Sequence, residues 1–174
     1  FADLQARILL EPSPRHRLTL TLVGAQEETD LVADDQAFDG LPDNHVEAGD
    51  TQQNLVFGLQ GRHLFSDRLR LHYVASRTSD TQTSDVFYRE GETGFETRAD
   101  QDLEAATTTL RAWVESTLGR HTLELGGEAA RSENTVGFHI DTDDPSVDIP
   151  DSVESYDDRQ DYSRFGAFAQ DVDL

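Results

Sequence analysis

The fold is decided by residues 4–22, which read LQARILLEPSPRHRLTLTL. Apolar and polar side chains alternate in two runs that begin in this segment, Leu4–Glu11 and Arg17–Gln26. An alternation with a period of two residues is typical of a β-strand that has one apolar face. Between the runs lies Pro12-Ser13-Pro14, and proline cannot donate a hydrogen bond to a β-ladder. The segment therefore predicts two antiparallel strands that are joined by a tight turn.

The same alternation predicts five further strands along the chain. Their bounds are Gln53–Leu64, Arg68–Thr78, Glu104–Glu115, Arg120–Ala130 and Ser163–Leu174. Most of the runs are about 9–12 residues long, which is the length that a tilted strand needs to cross a bilayer. A strand of a soluble domain usually has about five or six residues. In the last strand, the pattern favours an apolar face made of Phe168, Val172 and Leu174.

The connections between the predicted strands alternate in length. Short turns are predicted at Pro12–His16, Phe65–Asp67 and Ser116–Gly119. Long acidic connections are predicted at about Glu27–Gln52, Ser79–Asp102 and Arg131–Tyr162. A transmembrane β-barrel has short turns at its periplasmic end and long loops at its extracellular end. We therefore predict an all-β fold in the bacterial outer membrane, an antiparallel transmembrane β-barrel segment whose seven or so strands form a curved open sheet within a larger barrel.

The composition excludes several classes of protein. Mean hydropathy is −0.60, and no run approaches the roughly 18 apolar residues that a transmembrane helix needs. The 35 acidic residues outnumber the 14 basic ones, and the net charge of −21 argues against nucleic acid as a partner. Cysteine is absent, which excludes disulfides and thiolate metal sites. No nucleophile-elbow or Walker A pattern occurs, so we expect neither an enzyme nor a bound cofactor.

The alternation also assigns side chains to two surfaces of the predicted barrel. Lipid-facing side chains are predicted at Leu20, Leu55, Phe57, Leu71, Leu110 and Leu125. Lumen-facing side chains are predicted at Arg7, Arg70, Arg111 and Glu124. Charges in mid-strand need water or a partner, which a barrel lumen supplies and the dry core of a sandwich does not. Partners for these arginines are available across neighbouring strands, at Glu104, Glu115, Glu124 or Glu128.

One acidic stretch is a candidate calcium site. Asp141, Asp143 and Asp144 bring carboxylate oxygens together, and these hard ligands suit Ca²⁺. The stretch lacks the spacing and the terminal glutamate of an EF-hand loop. The alternative interpretation is an acidic loop that is simply solvated.

Three segments resemble those of a known family. Residues 6–20, ARILLEPSPRHRLTL, resemble a hairpin of TonB-dependent receptors, in which one strand ends in a proline-containing polar turn and the next runs Leu-Thr-Leu. Residues 119–128, GRHTLELGGE, look like a recurrent strand of the same barrels. Residues 165–171, FGAFAQD, are similar to the strand that follows it after a long loop.

This resemblance implies an active transporter that takes up a scarce small-molecule ligand, with a ferric siderophore as the default. Such receptors close a large barrel around an N-terminal plug domain that contacts TonB. The plug is absent from this chain, which we interpret as an interior fragment of the barrel, surrounded by outer-membrane lipid. The lumen arginines would pair with a plug carboxylate or guide an anionic ligand. Two alternatives stay open: a porin-type barrel, and a soluble or surface-attached β-sandwich binding module with acidic loops.

Overall fold

The computed structural model describes residues 1–33, 45–90, 95–143 and 155–173. These residues form one sheet in which each strand pairs antiparallel with the next along the chain. The strands are β1 Ala2–Ser13, β2 His16–Ala33, β3 His45–Ser66, β4 Leu69–Arg89, β5 Glu96–Leu118, β6 His121–Thr142 and β7 Ser155–Asp173. The predicted all-β fold, an open antiparallel sheet, is therefore confirmed. In the described part of the chain, no helix has the length and apolarity needed to cross a membrane.

Tight turns join three strand pairs at one end of the sheet. Two residues form each turn, and the flanking residues pair with each other: Ser13 with His16, Ser66 with Leu69, and Leu118 with His121. Gly119 has a φ of +68°, a left-handed conformation that glycine adopts without steric cost. After β3, the Ser66 Oγ atom accepts a hydrogen bond from the Leu69 N–H at 3.1 Å. The three predicted short turns are thus confirmed, although the turns after β3 and β5 end at Arg68 and Arg120, one residue later than predicted.

At the opposite end, the strands are longer than the sequence predicts. β4 continues to Arg89 and β5 begins at Glu96, although the sequence predicts a connection over the whole of Ser79–Asp102. The predicted connections at Glu27–Gln52 and Arg131–Tyr162 are wrong in the same way. The reason is that polar and apolar side chains keep alternating in these segments, as at His139, Ile140 and Asp141 of β6, and a period of two residues is typical of a strand. β5 has 23 residues, which at about 3.3 Å each is roughly 75 Å, more than twice the thickness of a bilayer core.

The sheet has no hydrophobic core. Among the described residues, no hydrophobic side chain is buried, and large ones are widely exposed, including Leu125 at 67% and Phe165 at 80%. A β-sandwich buries one face of each sheet against a second sheet. The described strands form a single layer, so the sandwich alternative does not describe this fold.

Candidate functional site

The pairing register divides the side chains between two faces, because directly opposed residues point to the same side of a sheet. We call one the leucine face, which contains the row Leu20–Leu59–Ala75–Leu110–Ala129–Phe165. We call the other the arginine face, which contains the row Arg17–Arg62–His72–Trp113–Gly126–Phe168. Rows and strands together give every described position a face and a distance from the tight turns.

The register places the sequence-predicted residues as two separate groups. On the leucine face lie Leu20, Leu55, Phe57, Leu71, Leu110 and Leu125. On the arginine face lie Arg7, Arg70, Arg111 and Glu124. The expectation for Phe168 in the last strand is wrong, because Phe168 pairs with Gly126 and lies on the arginine face, as does Gln170 opposite Glu124. Leu174, which was expected on the same face as Phe168, lies outside the described residues. The leucine face of β7 carries instead Phe165, Ala167 and Ala169.

The two faces change character along the strands. Near the tight turns the leucine face is mainly apolar, apart from the hydrogen-bonded side chains of His16, His63 and Tyr73, and the arginine face carries charges. Beyond the row Gln26–Gln53–Thr81–Glu104–Thr135–Arg159, the leucine face carries acids, among them Glu28, Asp30, Asp85, Asp100, Asp102 and Asp157. At the same level the arginine face carries apolar side chains beside polar ones: Leu31, Val86, Leu103, Val136, Phe138 and Ile140 beside Asp50, Gln52 and Gln82. The leucine face therefore changes from apolar to charged at a level that, on β4–β7, lies two rows nearer the turns than on β1–β3.

Ion pairs mark this level on the leucine face. Arg131 Nη2 lies 2.8 Å from Glu133 Oε1 and 3.6 Å from Asp161 Oδ2. Arg159 approaches the same two carboxylates at 3.8 and 3.5 Å. These side chains follow directly after the apolar rows on β6 and β7. Such a network is stable in water but costly in hydrocarbon.

On the arginine face, charged and aromatic side chains form a connected cluster near the turns. Arg70 Nη1 donates to Glu115 Oε1 at 2.7 Å, a cross-strand pair among those expected from the sequence. The His72 ring stacks on Trp113, with centroids 4.9 Å apart and planes at 7°. His72 Nε2 is buried and lies 3.2 Å from Glu115 Oε2, without the alignment of a hydrogen bond.

Arg111 contacts aromatic rings. Its guanidinium carbon lies 5.2 Å from the centroid of the Trp113 ring and 4.7 Å from that of Phe168. Gly126, between those two residues in the row, leaves the space: a Cβ atom there would lie 2.5 Å from Trp113 Cβ and 2.7 Å from Phe168 Cζ. The cation–π contacts explain why Phe168 lies on this face.

Farther from the turns, the arginine face carries a cavity of about 520 Å³. Its lining combines the carboxamides of Gln52, Asn54, Gln82 and Asn134 with the carboxylates of Glu27 and Asp80 and with apolar side chains, among them Leu103, Ala105 and Val136. We call it the carboxamide cavity. In the row above it, Asp50 Oδ1 accepts hydrogen bonds from Ser84 Oγ at 2.6 Å and Gln82 Nε2 at 2.9 Å. These bonds hold the pKa of the Asp50 carboxyl below its usual value.

No protein-family model matches the chain, and no curated protein does. Solved structures do. The RagAB peptide transporter has a TM-score of 0.69 at 11% identity, over 96% of this chain and 25% of that one. The ferric yersiniabactin uptake receptor FyuA from Yersinia pestis has a TM-score of 0.54 at 10% identity, over 91% of this chain and 23% of that one.

The sheet therefore has the fold of part of an outer-membrane β-barrel. The chain spans about a quarter of the length of those two structures, and at this identity the likeness shows the fold alone. In barrels of this kind, one face of the sheet meets lipid and the other encloses the lumen. The carboxamide cavity was missed from the sequence, because its residues fall at the edges of predicted connections.

The candidate calcium ligands lie near the end of β6. Asp141 is paired with Arg98 across the sheet, and Asp143 Oδ1 accepts a hydrogen bond from the Glu96 N–H at 2.6 Å. Asp144 lies outside the described residues. Within the described ranges, no three metal-ligating side chains come together. A calcium site on this stretch therefore stays a prediction.

Proposed function

We propose that this chain supplies wall strands and outer connections of an active transporter in the bacterial outer membrane, of the TonB-dependent type. The observation that carries the proposal is the change of the leucine face from apolar to acidic at one level. A barrel wall must be apolar outside over about 25 Å and polar beyond it. The six leucine and phenylalanine positions predicted to face lipid would form part of this belt, and the arginine face would line the lumen.

The proposed transporter is larger than this chain. In the described sheet, β1 and β7 each leave one edge unpaired, and open edges invite aggregation unless the sheet closes. We therefore assign residues 1–174 to a segment of barrel wall. The plug domain and the contact with TonB are assigned to other parts of the polypeptide.

Ligand capture is assigned to the end of the sheet that carries the acidic strand extensions. In a closed barrel, the carboxamide cavity would lie above the lipid belt, at the entrance to the lumen. Its amides would hydrogen-bond to polar groups of a ligand, while Leu103 and Val136 would contact apolar ones. The default ligand is a ferric siderophore, which would pass a plug that rearranges through TonB.

Peptides are a second candidate class of ligand. Carboxamide side chains both donate and accept hydrogen bonds, as the peptide backbone does. RagAB, which shares the architecture, is a peptide transporter. Calorimetric titration of the complete protein with short peptides and with ferric siderophores separates the two classes. For peptides, we expect Asn134→Leu to weaken binding about fivefold, the equivalent of one neutral hydrogen bond.

Surface labelling tests the location and orientation. Cysteines at Asp39, Asp85 and Asp148 of the complete protein should react with an impermeant maleimide on intact cells; Asp39 and Asp148 lie outside the described residues. A cysteine at Arg68, in the turn after β3, serves as the matched control and should react only after the outer membrane is broken. The inverse labelling pattern would reverse the topology, and recovery of the protein in the aqueous fraction would exclude the membrane assignment.

Energy coupling separates an active transporter from a porin-type barrel. Ligand uptake should stop in cells without TonB, while the amount of the protein in the outer membrane stays the same. Uptake that continues unchanged without TonB would favour the porin alternative.

A further inference from the structure

A second cavity on the arginine face collects positive charge near the tight turns. Its volume is about 300 Å³, and Arg7, Arg17, Arg62 and His72 line it. Arg17 and Arg62 are direct cross-strand partners, and His72 is the next residue in the same row. Three arginines and a histidine therefore line one cavity.

The chain leaves most of this charge without a partner. Arg17 Nε lies 3.4 Å from Glu11 Oε1, and both side chains are about half exposed. Within the described residues, neither Arg7 nor Arg62 forms an ion pair. This is unusual in a chain with 35 acidic residues and 14 basic ones. Other arginines of the sheet do pair, as Arg70 does with Glu115.

Like charges directly opposite one another on a sheet are destabilising. The Arg17–Arg62 pair is such an arrangement, and a neutral residue at either position would remove the repulsion. An oxyanion in the cavity would also remove it, since guanidinium groups bind carboxylate and phosphate through paired hydrogen bonds. The His72 ring is held in place by its stacking on Trp113.

We propose that Arg7, Arg17, Arg62 and His72 form an oxyanion-binding site on the lumen wall, close to the end with the tight turns. The inference rests on the proposed function, because the arginine face is an enclosed lumen only in a closed barrel. The site takes a carboxylate or a phosphate group. The source of that group is either a carboxylate of the polypeptide that fills the lumen or a free anion that passes through it.

The test uses the complete outer-membrane protein in detergent, with inorganic phosphate as the probe and chloride at equal ionic strength as the reference. Thermal unfolding is compared between wild type and the double variant Arg7→Gln/Arg62→Gln. The matched control is Arg164→Gln, since Arg164 lies on the same face outside the cavity, 3.6 Å from Glu128. Outer-membrane fractionation of the wild type is read separately, so that failure of the proposed location is distinguished from failure of the site.

If the oxyanion is a free anion, phosphate should raise the Tm of wild type and of the Arg164→Gln control by about 2–4 °C. Phosphate should then leave the Tm of the double variant unchanged. A polypeptide carboxylate as the source predicts no response to phosphate, and a Tm of the double variant several degrees below that of wild type and of the control. The proposal is overturned if phosphate does not change the Tm of wild type and the double variant has a Tm equal to or above that of wild type.

A lysine variant covers the case in which the double variant does not fold. Arg7→Lys/Arg62→Lys keeps the charge and loses the paired hydrogen bonds. Under the proposal, it lowers either the Tm or the apparent phosphate affinity, the latter at least threefold or so. The proposal is overturned if this lysine variant has the wild-type Tm and the wild-type apparent phosphate affinity.

Discussion

A single charge on the leucine face tests the membrane assignment most directly. Leu20 lies on that face of β2, four residues after the strand begins at His16. On β1–β3 the apolar rows of this face run from Leu10–Leu18–Gly61 to Leu4–Gly24–Leu55, and Leu20 belongs to the second of these four rows. The apolar belt of a barrel is about 25 Å tall. Leu20 therefore lies near the middle of the belt.

The substitution Leu20→Arg should lower the free energy of unfolding by about 4–5 kcal/mol. An arginine near the bilayer midplane costs about 2–4 kcal/mol, and removing a leucine from an apolar environment adds about 1.5 kcal/mol or more. Thr109 of β5 is a control on the opposite face, where it shares a hydrogen bond of 2.6 Å with Ser76. Thr109→Arg should cost only about 1 kcal/mol, the value of that neutral hydrogen bond.

A third variant separates depth from face. Leu123 lies on the leucine face beside the turn, paired with Ser116. Near the interface an arginine costs about 0–1 kcal/mol in lipid, so Leu123→Arg should be much milder than Leu20→Arg. The assay is reversible unfolding by denaturant of the complete protein in phospholipid vesicles. Equal costs for Leu20→Arg and Thr109→Arg, or for Leu20→Arg and Leu123→Arg, would refute the assignment of this face to lipid.

Three further results are expected. Hydrogen bonds from Ser84 and Gln82 lower the pKa of Asp50. The stabilisation that they give is complete above the ordinary pKa of 3.8 and is lost as the pH falls through the lowered value. The Tm difference between wild type and Ser84→Ala should therefore be present at pH 7 and should shrink below about pH 4. Gly126→Ala should destabilise the protein by about 1–3 kcal/mol, because the new Cβ would lie 2.5 Å from a backbone oxygen. Gly58→Ala is the control and should be tolerated, because the nearest atom to its new Cβ is 3.7 Å away. Equal denaturation midpoints for the two variants would contradict this. Expressed alone, the 174 residues should collect in inclusion bodies, because both sheet edges and the leucine face are exposed; a soluble monomer that melts cooperatively would contradict the barrel assignment.

β5 illustrates how far the sequence predicts the fold. Near the turn, Leu110, Ala112 and Val114 alternate with polar residues, and the strand and its faces follow from that pattern. Farther along, Leu103 lies on the arginine face and Glu104 on the leucine face, so the alternation continues with its phase reversed. A search for strands with a constant apolar face therefore ends too early. The sequence contains the alternation but not the level at which lipid gives way to water.

β7 shows a different limit. Placing Phe168 on the apolar face also put Gln170 there, and this conflict was the available signal for the other phase. The ring of Phe168 contacts Arg111 of β5 and occupies the space left by Gly126 of β6. Such cross-strand complementarity depends on register, which local periodicity does not supply. For the same reason, the cavity that joins Arg7 to Arg62 was not predicted, although Arg7 had been assigned to the lumen.

The apolar rows also measure the tilt of the strands. On β1–β3 the leucine face is apolar over four rows, from Leu10–Leu18–Gly61 to Leu4–Gly24–Leu55. On β4–β7 the apolar positions begin at Leu69 and Leu123, in a row that also contains Ser116 and Asp171, and they end at Ala75–Leu110–Ala129–Phe165, two rows nearer the turns. Two rows correspond to four residues, or about 13 Å along a strand. The centres of the two strand groups lie about 17 Å apart across the sheet, so this shift corresponds to a tilt of roughly 40°. Strands of transmembrane barrels tilt by about 35–45°. A band that is level in a membrane must shift across the rows by this amount, whereas a sheet covered by a second layer has no need of such a shift.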